Sequence, residues 1–157
     1  MLKINQNAPE FSLPDQDGTI HSLSQYRGKW IFLYFYPKDN TPGCTVEACS
    51  IRDHWQDFST AGITVLGVSA DSQQSHTKFV AQHKLPFPVL SDVEKTMISA
   101  YDALSEKSMF GKKFLGITRI SYLINPDGKI AHVYPKVNPL KHISEVLRDI
   151  ATAQTRW

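Results

Sequence analysis

The sequence is poor in cysteine: its 157 residues contain two, Cys44 and Cys49. Two thiols cannot complete a four-ligand structural zinc site. None of the six histidines (His21, His54, His76, His83, His132, His142) stands in an H-x-H or H-E-x-x-H spacing that would supply the rest, so no metal is expected. G-x-G-x-x-G and P-loop strings are also missing, so no nucleotide cofactor is expected. No run of residues approaches the ~18 apolar positions of a membrane span, and the opening MLKINQNAPEF holds no signal-peptide core. The expected compartment is therefore the cytoplasm, with no membrane partner. Charge of one sign is scarce too. The net charge is +2 and the basic residues are scattered, with Lys112-Lys113 the one adjacent pair, which reads as a solvated loop. Such a balance gives no argument for nucleic acid as a partner. Repeats, low-complexity tracts and Pro/Gly/Ser-rich linkers are absent, and residues 1–157 read as one domain.

What is present is ordinary soluble material, 41% hydrophobic and 20% charged. The turn PDQDG at 14–18 separates two short extended pieces near Phe11–Leu13 and Ile20–Leu23. WIFLYFY, residues 30–36, is apolar without alternation, as befits a central strand buried on both faces. ITVLGVSA at 63–70 and FPVLSD at 87–92 are two more strands. Helical patterns fall between them at about 43–60, 72–84 with Ser72 as N-cap, and 93–101. The chain then changes character: ISYLINPDGKIAHVYP reads as an antiparallel hairpin about Pro126-Asp127-Gly128, and residues 140–150 as a closing helix. This order predicts an α/β thioredoxin-like fold, a mixed central sheet flanked by helices, with an N-terminal β-extension.

The two thiols lie where that plan places ligands. Pro37 ends the ladder of the first buried strand, and loops leaving the carboxyl ends of strands in open α/β sheets carry sites. Thr41 then Pro42 reads as a helix start, which puts Cys44 in the first turn. Free N–H groups and the positive end of the helix dipole favour a thiolate at that place. From the residues alone, a small buried filler is the competing reading of Cys44. In a reducing compartment a close cysteine pair points to catalysis or redox sensing rather than to a resting structural disulfide.

The string PKDNTPGC, residues 37–44, resembles the peroxiredoxin signature, and YPKDNTPGCTVEAC resembles that of the bacterioferritin-comigratory, or Q, branch. The likeness extends through APEFSLPDQDG, IRDHW, GVSADS and FGKKFLGITRISYLINPDGKIAHVY. Ser121-Tyr122 and Asn125 depart from the Thr-Phe and Asp of the pattern, at no catalytic position.

The resemblance implies a peroxidatic Cys44, a resolving Cys49, Thr41 and Arg119 completing the site, and Pro37 shielding it. A thiolate attacking an O–O bond needs donors aimed at the oxygens that gain charge; Thr41 Oγ and the N–H groups of Gly43 and Cys44 are the donors expected to serve. Arg119 brings a fixed cationic fork, although without the resemblance it reads as a surface ion-pair partner. Glu47, one turn past Cys44, is either an orienting partner of Arg119 or a solvated first-turn acid, and Arg52 and Asp53 are read as a pair nearby.

The implied activity is a thiol peroxidase acting on hydrogen peroxide and small organic hydroperoxides, needing no cofactor. Thioredoxin is its implied reductant, and a monomer or weak dimer its implied state. The alternatives are a dithiol–disulfide oxidoreductase, against which the missing C-x-x-C counts, and a non-enzymatic redox sensor. If both cysteines share a helix, their bonding requires that helix to unwind.

Overall fold

The computed structural model describes residues 1–156. Its centre is β3 (Trp30–Phe35), every residue of which is buried. Alternation along the strand sends Trp30, Phe32 and Tyr34 into one apolar cluster and Ile31, Leu33 and Phe35 into another on the opposite face. This two-sided burial is why the run shows no polar alternation.

β3 pairs in parallel with β4 (Ile63–Ser69) and antiparallel with β8 (Ile120–Ile124). β5 (Val89–Ser91) extends the parallel side and β9 (Ile130–Tyr134) the antiparallel side, giving the order β5-β4-β3-β8-β9. At the hairpin between β8 and β9, Asn125 Oδ1 accepts from the N–H groups of Asp127 and Lys129, both at 3.0 Å. The asparagine thus performs the turn chemistry expected of an aspartate. β1 (Ser12–Pro14) and β2 (Ile20–Ser22) form the N-terminal extension, outside the main sheet.

Four helices bury their apolar sides in the cluster that holds Phe32: α1 (Pro42–Asp53), α2 (Trp55–Thr60), α3 (Gln73–His83) and α5 (His142–Arg156). The opposite face is covered by α4 (Thr96–Ala100) and by Leu2, Ala8 and Phe11 from the N-terminal segment. Ser72 caps α3 as expected, its Oγ accepting from Ser75 N at 3.1 Å.

Three local expectations need correction. The helix read over 43–60 is two: the chain breaks at His54, whose ring Nδ1 lies 2.8 Å from Ser50 O and so competes with the ladder. The helix read over 93–101 is one turn beginning at Thr96, because Lys95 takes a left-handed φ of 61° and buried Asp92 accepts from Thr96 N and Ile98 N. Lys112-Lys113 is not a loop. The pair opens β7 (Lys112–Ile117), which forms a separate hairpin with β6 (Leu104–Met109) and keeps both lysines exposed.

Candidate active site

β3 delivers the chain to the site. Tyr36 N still bonds to Val68 O at 3.1 Å, after which Pro37 offers no N–H and the ladder stops. The turn that follows is anchored from below. Asp39 is buried; its N–H donates to Asp71 Oδ2 at 2.8 Å, and its carboxylate receives Tyr36 OH, Ser75 Oγ and His76 Nδ1 at 2.7–2.8 Å. Asp39, Asp71 and His76 are close enough together to suggest a cation site. Their facing atoms are instead bonded to one another and to serine hydroxyls, so the group serves as a brace under residues 37–41.

Thr41 is the N-cap residue of α1 by backbone, extended at φ −80° and ψ 152°, with Pro42 following. Its hydroxyl does not cap the helix; Oγ1 donates to Lys38 O at 2.8 Å. With no side-chain cap, the first-turn N–H groups remain for a ligand. Cys44 lies in that turn with its side chain buried, 1% exposed.

Arg119 reaches Cys44 from the other half of the chain. Ile120 pairs with Phe35, so the residue before it falls beside the end of β3 where the site begins. Arg119 Nη2 donates to Cys44 Sγ at 3.3 Å. Gly43 permits this approach: a Cβ there would lie 3.0 Å from Nη2 and 3.5 Å from Pro139 Cγ. A side chain at this position would make the guanidinium give way by a few tenths of an ångström.

Glu47 is no solvated acid. It is fully buried, and neither carboxyl oxygen has a hydrogen-bond partner among the described residues. No hydrogen bond joins it to Arg119, although the cation is near enough to act on it. Burial pushes the Glu47 carboxyl up to about 8, against the opposing pull of Arg119. At neutral pH it carries a proton. Tyr34 OH and Arg119 Nη1 are likewise buried without partners, so three residues around Cys44 present unspent polar atoms. A native interior satisfies such groups with a ligand or water. His142 lies under the same region, bonded through Nε2 to Ser121 Oγ at 2.9 Å. Burial and then the charge of Arg119 lower it to about 4, which keeps its ring neutral.

Pro37 is half-buried beside the loop. Cys49 is half-buried and reduced, further along α1, with Sγ 3.8 Å from His83 Nδ1. Arg52 does pair with Asp53, and its Nη1 donates to His83 O at 2.8 Å. The sequence reading missed Tyr34, Asn40, His83, Pro139 and His142. Tyr34 and Asn40 lie in the strand and motif already read but carry no mark of their own there, and His83, Pro139 and His142 join the site through the packing of distant elements.

The AhpC/TSA family model matches residues 4–133. A putative peroxiredoxin bcp of Coxiella burnetii is 46% identical over 93% of this chain and 97% of its own. Peroxiredoxin Bcp of Bacillus subtilis is 42% identical over 95% of each. Among solved structures, the bacterioferritin comigratory protein of Xanthomonas campestris, described by its alkyl peroxide reduction activity, superposes with a TM-score of 0.88 at 37% identity over 91% of both chains. A variant of PrxQ from Xylella fastidiosa gives 0.92 at 34% identity over 98% of both. The chain therefore belongs to the AhpC/TSA family, in the bacterioferritin-comigratory or Q branch of the peroxiredoxins, which are thiol peroxidases.

Proposed function

We propose that this thiol peroxidase reduces hydrogen peroxide and small alkyl hydroperoxides through Cys44, with Cys49 as the resolving thiol and thioredoxin or a similar dithiol as reductant. The observation that carries the reading is the guanidinium of Arg119 at 3.3 Å from Cys44 Sγ, with its second nitrogen buried beside it and without a partner among the described residues. One nitrogen holds the sulfur's negative charge, and the other is free to donate to a peroxide oxygen.

The Cys44 thiolate attacks the terminal oxygen of ROOH, forming Cys44–SOH and RO⁻, which takes up a proton to become the alcohol. The N–H groups of Gly43 and Cys44 face the charge that develops. Thr41 plays a different part from the donor expected of it: its one hydroxyl hydrogen goes to Lys38 O, so Oγ1 accepts the O–H of the incoming hydroperoxide. The Cys49 thiolate then displaces hydroxide from the sulfenic acid, giving the Cys44–Cys49 disulfide that the external dithiol reduces.

Peroxide consumption with thioredoxin and its reductase tests the reading. The wild type should turn over continuously. Cys44→Ser should consume none, and Cys49→Ser about one peroxide per chain, leaving a sulfenic acid that a trapping reagent captures. Insulin reduction without peroxide turnover would indicate a dithiol–disulfide oxidoreductase, and neither activity a redox sensor.

A further inference from the structure

We propose that His83 is the base that takes the thiol proton of Cys49 in the resolving step, with Asn40 holding its ring in the tautomer able to do so. This rests on the role of Cys49 given above. Cys49 and Asn40 both meet His83, which lies 34 and 43 positions further along the chain. Cys49 Sγ lies 3.8 Å from His83 Nδ1, within sulfur hydrogen-bond range, and His83 Nε2 lies 3.3 Å from Asn40 Oδ1.

An amide oxygen only accepts, so Nε2 carries the hydrogen and Nδ1 presents its lone pair to the Cys49 S–H. The arrangement of thiol, imidazole and orienting amide is the logic by which a weak nucleophile is activated. The imidazole is well held. His83 is the last residue of α3, with Lys84 turning the chain away at φ 51°. The ring stands edge-on to buried Phe79 with centroids 5.1 Å apart. Arg52 of α1 donates to His83 O at 2.8 Å, which ties the two helices together beside the thiol.

The chemistry needs such a base. An unassisted thiol is only a few per cent thiolate at neutral pH, and the thiolate is the attacking species in sulfenic acid condensation. His83 Nδ1 accepts the proton of Cys49 while α1 is folded, and the thiolate moves with the chain as the helix opens. Attack on Cys44–SOH forms the S–S bond and breaks S–O, releasing hydroxide. Hydroxide takes the proton back from His83, so water leaves and the ring returns to its starting form.

Two measurements test the assignment. In Cys44→Ser protein, where no peroxide chemistry occurs, His83→Gln should slow alkylation of Cys49 by iodoacetamide about tenfold at fixed pH, and Asn40→Gly by less. In protein with both cysteines, stopped-flow oxidation should show disulfide formation slowed by about a hundredfold relative to sulfenic acid formation in His83→Gln and in His83→Ala. Added imidazole should restore part of the loss in His83→Ala, an effect no purely structural role produces. Unchanged alkylation together with an unchanged ratio of the two phases in His83→Gln, which keeps the side chain's bulk and polarity, would overturn the proposal. A wild-type chain that consumes no peroxide would instead overturn the functional reading, and the alkylation comparison would still decide whether His83 activates Cys49.

Discussion

At the scale of single residues, the site joins a buried thiol to a cation that the sequence places 75 positions away. A charged donor held against sulfur in a dry site is worth more than the same pair in water, because it need not reorganise as charge moves to the leaving oxygen. Arg119→Met should therefore lower the second-order rate of sulfenic acid formation about a hundredfold, a loss comparable to that of one preorganised oxyanion donor. Stopped-flow measurement in a Cys49→Ser background isolates that step. A rate within a factor of two of the parent would remove Arg119 from the chemistry. Gly43 belongs to the same argument: its missing side chain is what lets the guanidinium lie across the helix start.

Among the elements, α1 carries the conformational demand of the proposed cycle. Cys44 and Cys49 both lie within the helix Pro42–Asp53. Regular helix geometry separates their Cα atoms by ~8.7 Å and turns them ~140° apart about the axis, whereas a disulfide tolerates about 7 Å at most. The helix must unwind for the bond to form. Thr45 and Val46 are β-branched and weak helix formers, which lowers that cost. Ile51 resists it, since it is fully buried and exposing it costs roughly 2–3 kcal/mol. The opening is therefore weighted to the residues before Ile51. Hydrogen exchange should find amides 45–50 protected in the reduced protein and unprotected in the disulfide form, with those of β3 unchanged. Equal protection of 45–50 in both forms, with the Cys44–Cys49 bond verified by mass spectrometry, would contradict this.

Across the whole molecule, two buried groups with opposite titrations shape stability. The Glu47 carboxyl rises from 4.5 to about 8 on folding, so the folded state binds the extra proton and stability falls as pH climbs through that window. His142 drops from 6.5 to about 4, so here the unfolded state binds the extra proton and stability falls as pH descends through that window. Between about 4.5 and 6.5 the two slopes oppose each other. Of these two, only Glu47 acts above 6.5, and it costs on the order of 2 kcal/mol by pH 8. Urea denaturation of Cys44→Ser protein, which lacks the thiolate's own pH dependence, should thus give a lower midpoint at pH 8 than at pH 6, and adding Glu47→Gln should abolish most of the difference. A Glu47→Gln variant with the same decline would assign the slope to other groups. We also propose that the chain unfolds as one domain, because both apolar clusters share the strands of one sheet.

Much of this was legible in the residues. A seven-residue apolar run at 30–36 leaves little choice but a strand buried on both faces, Pro37 must end it, and Thr41-Pro42 starts a helix with Cys44 in its first turn. These are short-range consequences of backbone chemistry, and they hold in the structure. Arg119 was legible only through family resemblance, since one arginine before a strand has no local signature. Tertiary structure alone decided the rest. Whether Glu47 meets water or the interior depends on what packs against its side of α1. The meeting of Cys49, His83 and Asn40 depends on α3 lying against the far end of α1. Burial and hydrogen bonding between residues dozens of positions apart are properties of packed elements, and no window of sequence contains them.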